Sequence, residues 1–134
     1  EVTQSVNNVM STPTMLKATN ANSWREAWVA AEVEDGSEVE GSVDLIIRNE
    51  DDSMTIVDYK TDRVVGEWLE ERAKGYEPQL AGYALVLEKL GMTVRDAVLI
   101  FANGNTDGSA REYFVDDLDA AKEFARAKIR QEFR

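Results

Sequence analysis

Two apolar segments rich in β-branched residues lie on either side of a short polar stretch near the middle of the chain. The first is Gly41–Arg48, the second is Met54–Tyr59, and the turn-forming residues Asn49–Ser53 separate them. Runs of this kind bounded by turn residues predict two antiparallel strands joined as a hairpin. Because side chains alternate between the faces of a strand, Asp58 and Lys60 are expected on one face of the second strand.

The remaining periodicity predicts an α/β domain with a mixed sheet and the element order βββ-α-β-β-α. Residues 23–34 fit a helix or a strand, and the Gly36 turn that follows favours a strand. Between Val65 and Leu90 the apolar spacing is helical, and Gly75 and Pro78 are expected to divide this region into two helices. The predicted elements are strands at about Arg25–Val33, Val39–Arg48 and Met54–Tyr59, helices near Glu67–Lys74 and from about Pro78, strands at Asp96–Ala102 and Arg111–Val115, and a helix over Leu118–Phe133.

Composition restricts the chemistry more than it restricts the fold. The 134 residues suit one domain, and the absence of cysteine and histidine excludes thiolate sites, imidazole bases and His-ligated zinc. Any metal must be held by oxygen ligands, which favours Mg²⁺ or Mn²⁺. The net charge of −11 argues against tight autonomous binding to DNA, although a divalent cation can bridge acidic side chains to phosphate. No segment resembles a signal peptide or a membrane span, so we expect a cytoplasmic chain without a membrane partner.

The first 22 residues differ from the rest in being polar and rich in Ser, Thr and Asn, with Pro13 among them. We predict mostly loop here, with a short helical turn near Met10. This stretch is interpreted as a flexible arm or the remnant of an upstream region, and residues 23–134 as the folded domain.

The candidate site lies where the two hairpin strands meet. Asp44 and Asp58 are carboxylates that can hold a metal, and the backbone carbonyl of Tyr59 can complete the shell. Lys60 can orient or deprotonate the attacking water, or neutralise developing charge. Glu32 is a further candidate ligand if its strand runs beside Asp44. The alternative is an ordinary surface ion pair, but charges within apolar strands are costly unless they are paired or bind a metal.

Three ordered motifs resemble one family, the RecB-type branch of the PD-(D/E)XK nuclease superfamily. They are Gly41-Ser-Val-Asp44, then Ile56-Val-Asp58-Tyr-Lys60-Thr61, then Tyr76-Glu-Pro-Gln79-Leu-Ala-Gly-Tyr83. The resemblance implies a restriction-endonuclease-like fold and a Mg²⁺- or Mn²⁺-dependent deoxyribonuclease, acting as an exonuclease. It also implies DNA as substrate, a helicase domain in the same parent chain or in a separate partner protein, and a role in DNA repair and recombination.

The same resemblance assigns roles to individual positions. Asp44 and Asp58 match the metal-binding acids, and Lys60 matches the catalytic lysine. Gln79 and Tyr83, one helical turn apart, match residues that border the site and support DNA, although Tyr83 also fits a core position. We interpret Tyr76 as structural or DNA-facing.

One departure from the family pattern concerns a further ligand, often His or Glu, that members supply from an upstream helix. This chain has no histidine, and its arm does not predict a convincing helix. Either that helix belongs to the rest of a larger protein, or Glu1 or Glu26 substitutes, or the site is incomplete. The Arg25-Glu26 pair is otherwise interpreted as a surface ion pair. An inactive nuclease-fold module used for protein docking or DNA handling is therefore the alternative function.

Overall fold

Five strands and four helices make up the described part of the chain. The computed structural model describes residues 7–18, 22–34 and 36–132. Its elements are α1 (residues 7–10), α2 (Pro13–Ala18), β1 (Ser23–Glu34), β2 (Ser37–Arg48), β3 (Met54–Lys60), α3 (Gly66–Lys89), β4 (Val94–Phe101), β5 (Arg111–Phe114) and α4 (Leu118–Glu132).

The strands form one mixed sheet in the order β1-β2-β3-β4-β5. The first three strands make an antiparallel meander, β4 runs parallel to β3, and β5 is antiparallel to β4. A parallel pair needs a long crossover connection, and α3 provides it between β3 and β4. The α/β mixed sheet and its order of elements are as the sequence predicts.

The predicted hairpin between β2 and β3 is present with its turn at the expected place. Arg48 pairs with Met54, and the Asn49 amide donates a hydrogen bond of 2.8 Å to the Ser53 carbonyl. Asp52 takes a positive φ of 69° within this turn. An aspartate tolerates that left-handed conformation better than most residues do, which suits the polar turn sequence.

The two faces of the sheet carry separate apolar clusters. Met54 and Ile56 of β3 belong to the cluster beneath α3, whereas Val57 packs in the cluster on the opposite face, with Tyr59 against it. This division confirms the expected alternation along β3. Because Asp58 lies between Val57 and Tyr59 in the alternation, it is on the α3 face, at the end of a buried strand.

Helix α3 is continuous, and the expectation of two helices divided near Gly75 and Pro78 is wrong. Leu69 and Leu80, from the two predicted helices, are both fully buried in the same core cluster. Burial of both ends against one sheet outweighs the backbone hydrogen bond that an interior proline removes. The helix ends as predicted at Gly91, which has a φ of 92°.

The described part of the N-terminal arm is helical and packed, so the expectation of mostly loop is wrong there, while the predicted helical turn near Met10 is present as α1. Met15 of α2 is 1 % exposed and covers the face of the sheet opposite α3. The Asn8 side chain donates a 2.9 Å hydrogen bond to the Ala102 carbonyl, at the end of β4. A domain boundary at residue 23 stays a prediction. Within residues 7–18, 22–34 and 36–132, no helix is both long and apolar enough to cross a membrane.

Candidate active site

Asp44 and Asp58 come together where β2 and β3 stop pairing. The ladder ends at Leu45 and Val57, immediately before Asp44 and before Asp58. The Tyr59 amide donates a 2.8 Å hydrogen bond to Asp44 Oδ2, which fixes this carboxylate between the strands. The two carboxyl groups lie within hydrogen-bonding reach of each other. The structure therefore brings together the two acids that the sequence singles out.

Lys60 lies beside Asp58, as expected from their shared strand face. Its Nζ is 3.0 Å from Asp58 Oδ2, and both side chains are largely buried. The angles of this contact do not satisfy hydrogen-bond geometry, and Asp58 Oδ2 is a buried oxygen without a hydrogen-bond partner. A buried, unsatisfied carboxylate oxygen is costly, and a cation satisfies it.

The electrostatic state of Asp58 reflects this crowding. Burial raises the pKa of Asp58 to about 6, and the adjacent Asp44 carboxyl raises it further, while Lys60 opposes both effects. Two close carboxyl groups resist being ionised together unless a positive charge lies between them. The pair thus favours either a shared proton or a bound cation.

The Tyr59 carbonyl is placed where it can add a third oxygen. The N–H and C=O of a strand residue point to the same side, and the Tyr59 amide faces Asp44 on the β2 side. The carbonyl consequently faces the same side, past the last paired residues of β2 and β3. Two carboxylates and one carbonyl are oxygen ligands that suit Mg²⁺ or Mn²⁺, and Mg²⁺ sites usually keep several waters.

Tyr83 and Gln79 of α3 flank the carboxylates in different ways. Tyr83 is 9 % exposed, and burial raises the pKa of its hydroxyl, with Asp58 and Asp44 adding to the effect. Gln79 is exposed and lines, with Tyr83, a cleft of about 240 Å³ between β2, α3 and α4. Tyr83 is therefore both a core residue and a neighbour of the acids, whereas Gln79 faces solvent beside them.

Tyr76 contacts the candidate catalytic lysine directly. Lys60 Nζ lies over its ring, 3.9 Å from the centroid, and its hydroxyl donates a 3.0 Å hydrogen bond to Asp62. Sequence reasoning missed Asp62, and the available signal was its position two residues after Lys60. The contribution of Gly41 was also missed beyond its place in a motif, since the Tyr83 ring packs on it.

Glu32 does not join the site, and the conditional prediction that placed it there is wrong. The register of β1 puts Glu32 opposite Glu38, six residues along β2 from Asp44. At about 3.3 Å per residue this separates them by roughly 20 Å. Register, which a sequence does not display, decides this position.

The further ligand expected from upstream is not supplied by the described arm. Residues 7–18 contain no Asp or Glu, Glu1 lies outside the described residues, and Glu26 is exposed with a φ of 48°. No group of three or more acidic side chains is arranged to hold a metal in the part of the chain that the structure describes. Among these residues, the two aspartates are the side-chain ligands that the site offers.

Sequence comparison places these residues among nucleases. A family model described as the PD-(D/E)XK nuclease superfamily matches residues 5–134. A stretch of 66 residues is 46 % identical to an ATP-dependent helicase/nuclease from Carboxydothermus hydrogenoformans, covering 48 % of this chain and 6 % of that protein. The ATP-dependent helicase/nuclease of the same name from Bacillus cytotoxicus is 40 % identical over 78 residues, or 50 % of this chain and 6 % of the relative.

Structural comparison gives the same fold. A crystal structure of a candidate exonuclease from Eubacterium rectale superposes with a TM-score of 0.61 and 14 % sequence identity. The match covers 96 % of this chain and 48 % of the other. This likeness supports a restriction-endonuclease-like arrangement of the mixed sheet and its flanking helices.

Proposed function

The chain belongs to the PD-(D/E)XK nuclease superfamily, and we propose that it is a divalent-metal-dependent deoxyribonuclease domain that hydrolyses phosphodiester bonds. The observation that carries this proposal is the buried, unsatisfied oxygen of Asp58, within reach of Asp44 and 3.0 Å from Lys60. The donor set is made of oxygen atoms, which fits Mg²⁺ or Mn²⁺.

Each side chain of the site has a part in the proposed reaction. Asp44, Asp58 and the Tyr59 carbonyl would hold the cation, which, when bound, polarises the phosphate and lowers the pKa of the attacking water. Lys60, held beside a carboxylate, is a hydrogen-bond donor that orients the water or neutralises charge on the phosphate oxygens. This geometry favours the orienting and electrostatic roles over proton abstraction by Lys60.

The setting of the domain is proposed from its relatives. The chain spans about 6 % of the length of the helicase/nuclease proteins it matches. We infer an exonuclease attached to a helicase motor, in the same chain or in a separate partner protein, that works on cytoplasmic DNA in repair and recombination. The net charge of −11 supports this arrangement, since a helicase would deliver DNA that so acidic a domain binds weakly alone.

Cleavage assays test the proposal. Single- and double-stranded DNA would be incubated with wild type and with Lys60→Ala, in Mg²⁺, in Mn²⁺ and in excess chelator. We expect metal-dependent cleavage by wild type and a loss of about 100-fold or more in the variant. The matched control Lys74→Ala changes an exposed lysine on α3 and should cleave like wild type. Equal cleavage by wild type and Lys60→Ala would refute the catalytic assignment.

The second candidate is a nuclease-fold module without chemistry, used for protein docking or DNA handling. It is favoured by the presence of only two clustered carboxylates in the described part of the chain. Failure of wild type to bind Mn²⁺ or to cleave DNA under any of these conditions would support it.

A further inference from the structure

Lys60 is held from two sides. Its Nζ contacts Asp58 Oδ2 at 3.0 Å and lies 3.9 Å from the centroid of the Tyr76 ring. An ammonium over an aromatic face is attracted by the ring quadrupole. Only 18 % of the Lys60 side chain is exposed, so the ring also removes space into which the lysine could swing.

Tyr76 is itself tied down at its other end. Its hydroxyl donates a 3.0 Å hydrogen bond to Asp62 Oδ2, and Arg72 Nη1 lies 2.6 Å from the same oxygen. Arg72 and Tyr76 are one turn apart on α3, while Asp62 lies in the loop that leaves β3. The Asp62 side chain is 16 % exposed, so this carboxylate joins the loop to the helix in a partly buried position.

We propose that Asp62 and Arg72 are positioning residues that hold the Tyr76 ring as a seat for the Lys60 ammonium. The three residues Asp62, Arg72 and Tyr76 form the lysine clip. The proposal rests on the proposed function for its kinetic consequence, but the seat itself exists independently of chemistry. It assigns Tyr76 a role beneath Lys60 in place of the interpretation that it faces DNA.

The physical reason for such a clip is the freedom of lysine. A lysine side chain has four rotatable bonds, and a misplacement of about 1 Å at a catalytic group can reduce a rate about 100-fold. The ion pair with Asp58 fixes the distance of Nζ from one carboxylate but not its direction. The ring face adds a second fixed contact, and the Asp62 hydrogen bond keeps the ring in one orientation.

Nuclear magnetic resonance tests the seat without any activity. In the 134-residue chain, the ε-methylene protons of Lys60 should be shifted upfield by the ring current of Tyr76. Tyr76→Leu should abolish the shift, Tyr76→Phe should keep most of it, and Asp62→Asn should reduce it. Tyr113→Phe is the matched control, because it removes another tyrosine–carboxylate hydrogen bond, of 2.8 Å to Glu77, away from Lys60.

Kinetics test what the seat does. We expect Tyr76→Leu and Asp62→Asn to lower kcat for DNA cleavage by about tenfold, with KM for DNA changed by less than about twofold. Tyr76→Phe, which retains the ring, should recover part of the kcat that Tyr76→Leu loses. Asp52→Asn, at the far end of the sheet, is the charge-matched control for Asp62→Asn.

The outcomes separate this inference from the proposed function. A Lys60 signal in wild type without an upfield shift, or a shift unchanged in Tyr76→Leu, overturns the clip whatever the activity. A loss that falls on KM alone assigns Tyr76 to DNA binding and also overturns it. A wild type that cleaves nothing overturns the proposed function, while the spectrum still decides the seat.

Discussion

At the scale of single residues, Gly41 matters because the Tyr83 ring occupies the space of its missing side chain. A Cβ at this position would lie 2.7 Å from Tyr83 Cε1 and 3.1 Å from its hydroxyl oxygen. Gly41→Ala should therefore displace the ring from the carboxylates and lower DNA cleavage by about 10- to 100-fold. Rates measured at saturating DNA, with circular dichroism as a check on folding, test this prediction.

The control for that change is another glycine-to-alanine variant. Gly75 on α3 has no neighbouring heavy atom within 4 Å of an added Cβ. Gly75→Ala should cleave like wild type and be more stable by about 1 kcal/mol, because alanine favours the helix. Wild-type cleavage by Gly41→Ala would show that the position of Tyr83 does not matter to the reaction.

The raised pKa of Asp58 gives a pH prediction for the metal-free protein. Burial, with Asp44 nearby, raises the pKa from 3.8 to about 6, so the folded state binds this proton more tightly than the unfolded state. The resulting loss of stability is absent below pH 3.8 and complete above about pH 6. The free energy of unfolding of wild type relative to Asp58→Asn should fall by on the order of 1–3 kcal/mol over this range. Urea titrations in chelator at about pH 4 and pH 7 measure it, and a difference that is flat or rises with pH contradicts it.

At the scale of elements, α3 carries Pro78 in its interior. An interior proline removes one helical hydrogen bond and costs about 3 kcal/mol, offset in part by its rigidity in the unfolded chain. Pro78→Ala should therefore raise the free energy of unfolding by about 1–2 kcal/mol. If Pro78 instead began a separate helix, the same change would be neutral or destabilising, which denaturant titration distinguishes.

The elements that were predictable from the sequence are those with strong local patterns. The hairpin of β2 and β3 and the buried strand β4 follow from β-branched runs and turn residues. The continuity of α3 was not predictable, because it depends on Leu69 and Leu80 sharing one core. The helices of the arm were missed for the same reason, since Met15 is buried by contacts with the sheet.

The site divides along the same line. Asp44, Asp58 and Lys60 lie on two strands joined by a short turn, so the hairpin alone brings them together. The contact of Lys60 with Tyr76 joins β3 to a helix, and the position of Glu32 depends on register. Contacts between distant elements require the packed structure, which explains why the lysine clip was not visible in the sequence.

At the scale of the whole molecule, the central feature is an acidic domain whose two site carboxylates need a positive charge. The chain carries 26 acidic and 15 basic residues, and its candidate metal ligands are two aspartates with one buried oxygen unsatisfied. A cation bound only by the folded state would stabilise the entire domain. Metal binding is thus the property on which both the function and the stability of this molecule depend.

Calorimetric titration of the chain with Mn²⁺ measures that property directly. Wild type should bind Mn²⁺ at a site that disappears in Asp58→Asn and in Asp44→Asn. Asp52→Asn, which removes the same charge from an exposed turn, should bind like wild type. Absence of binding by wild type, or equal binding by wild type and Asp58→Asn, would contradict the account.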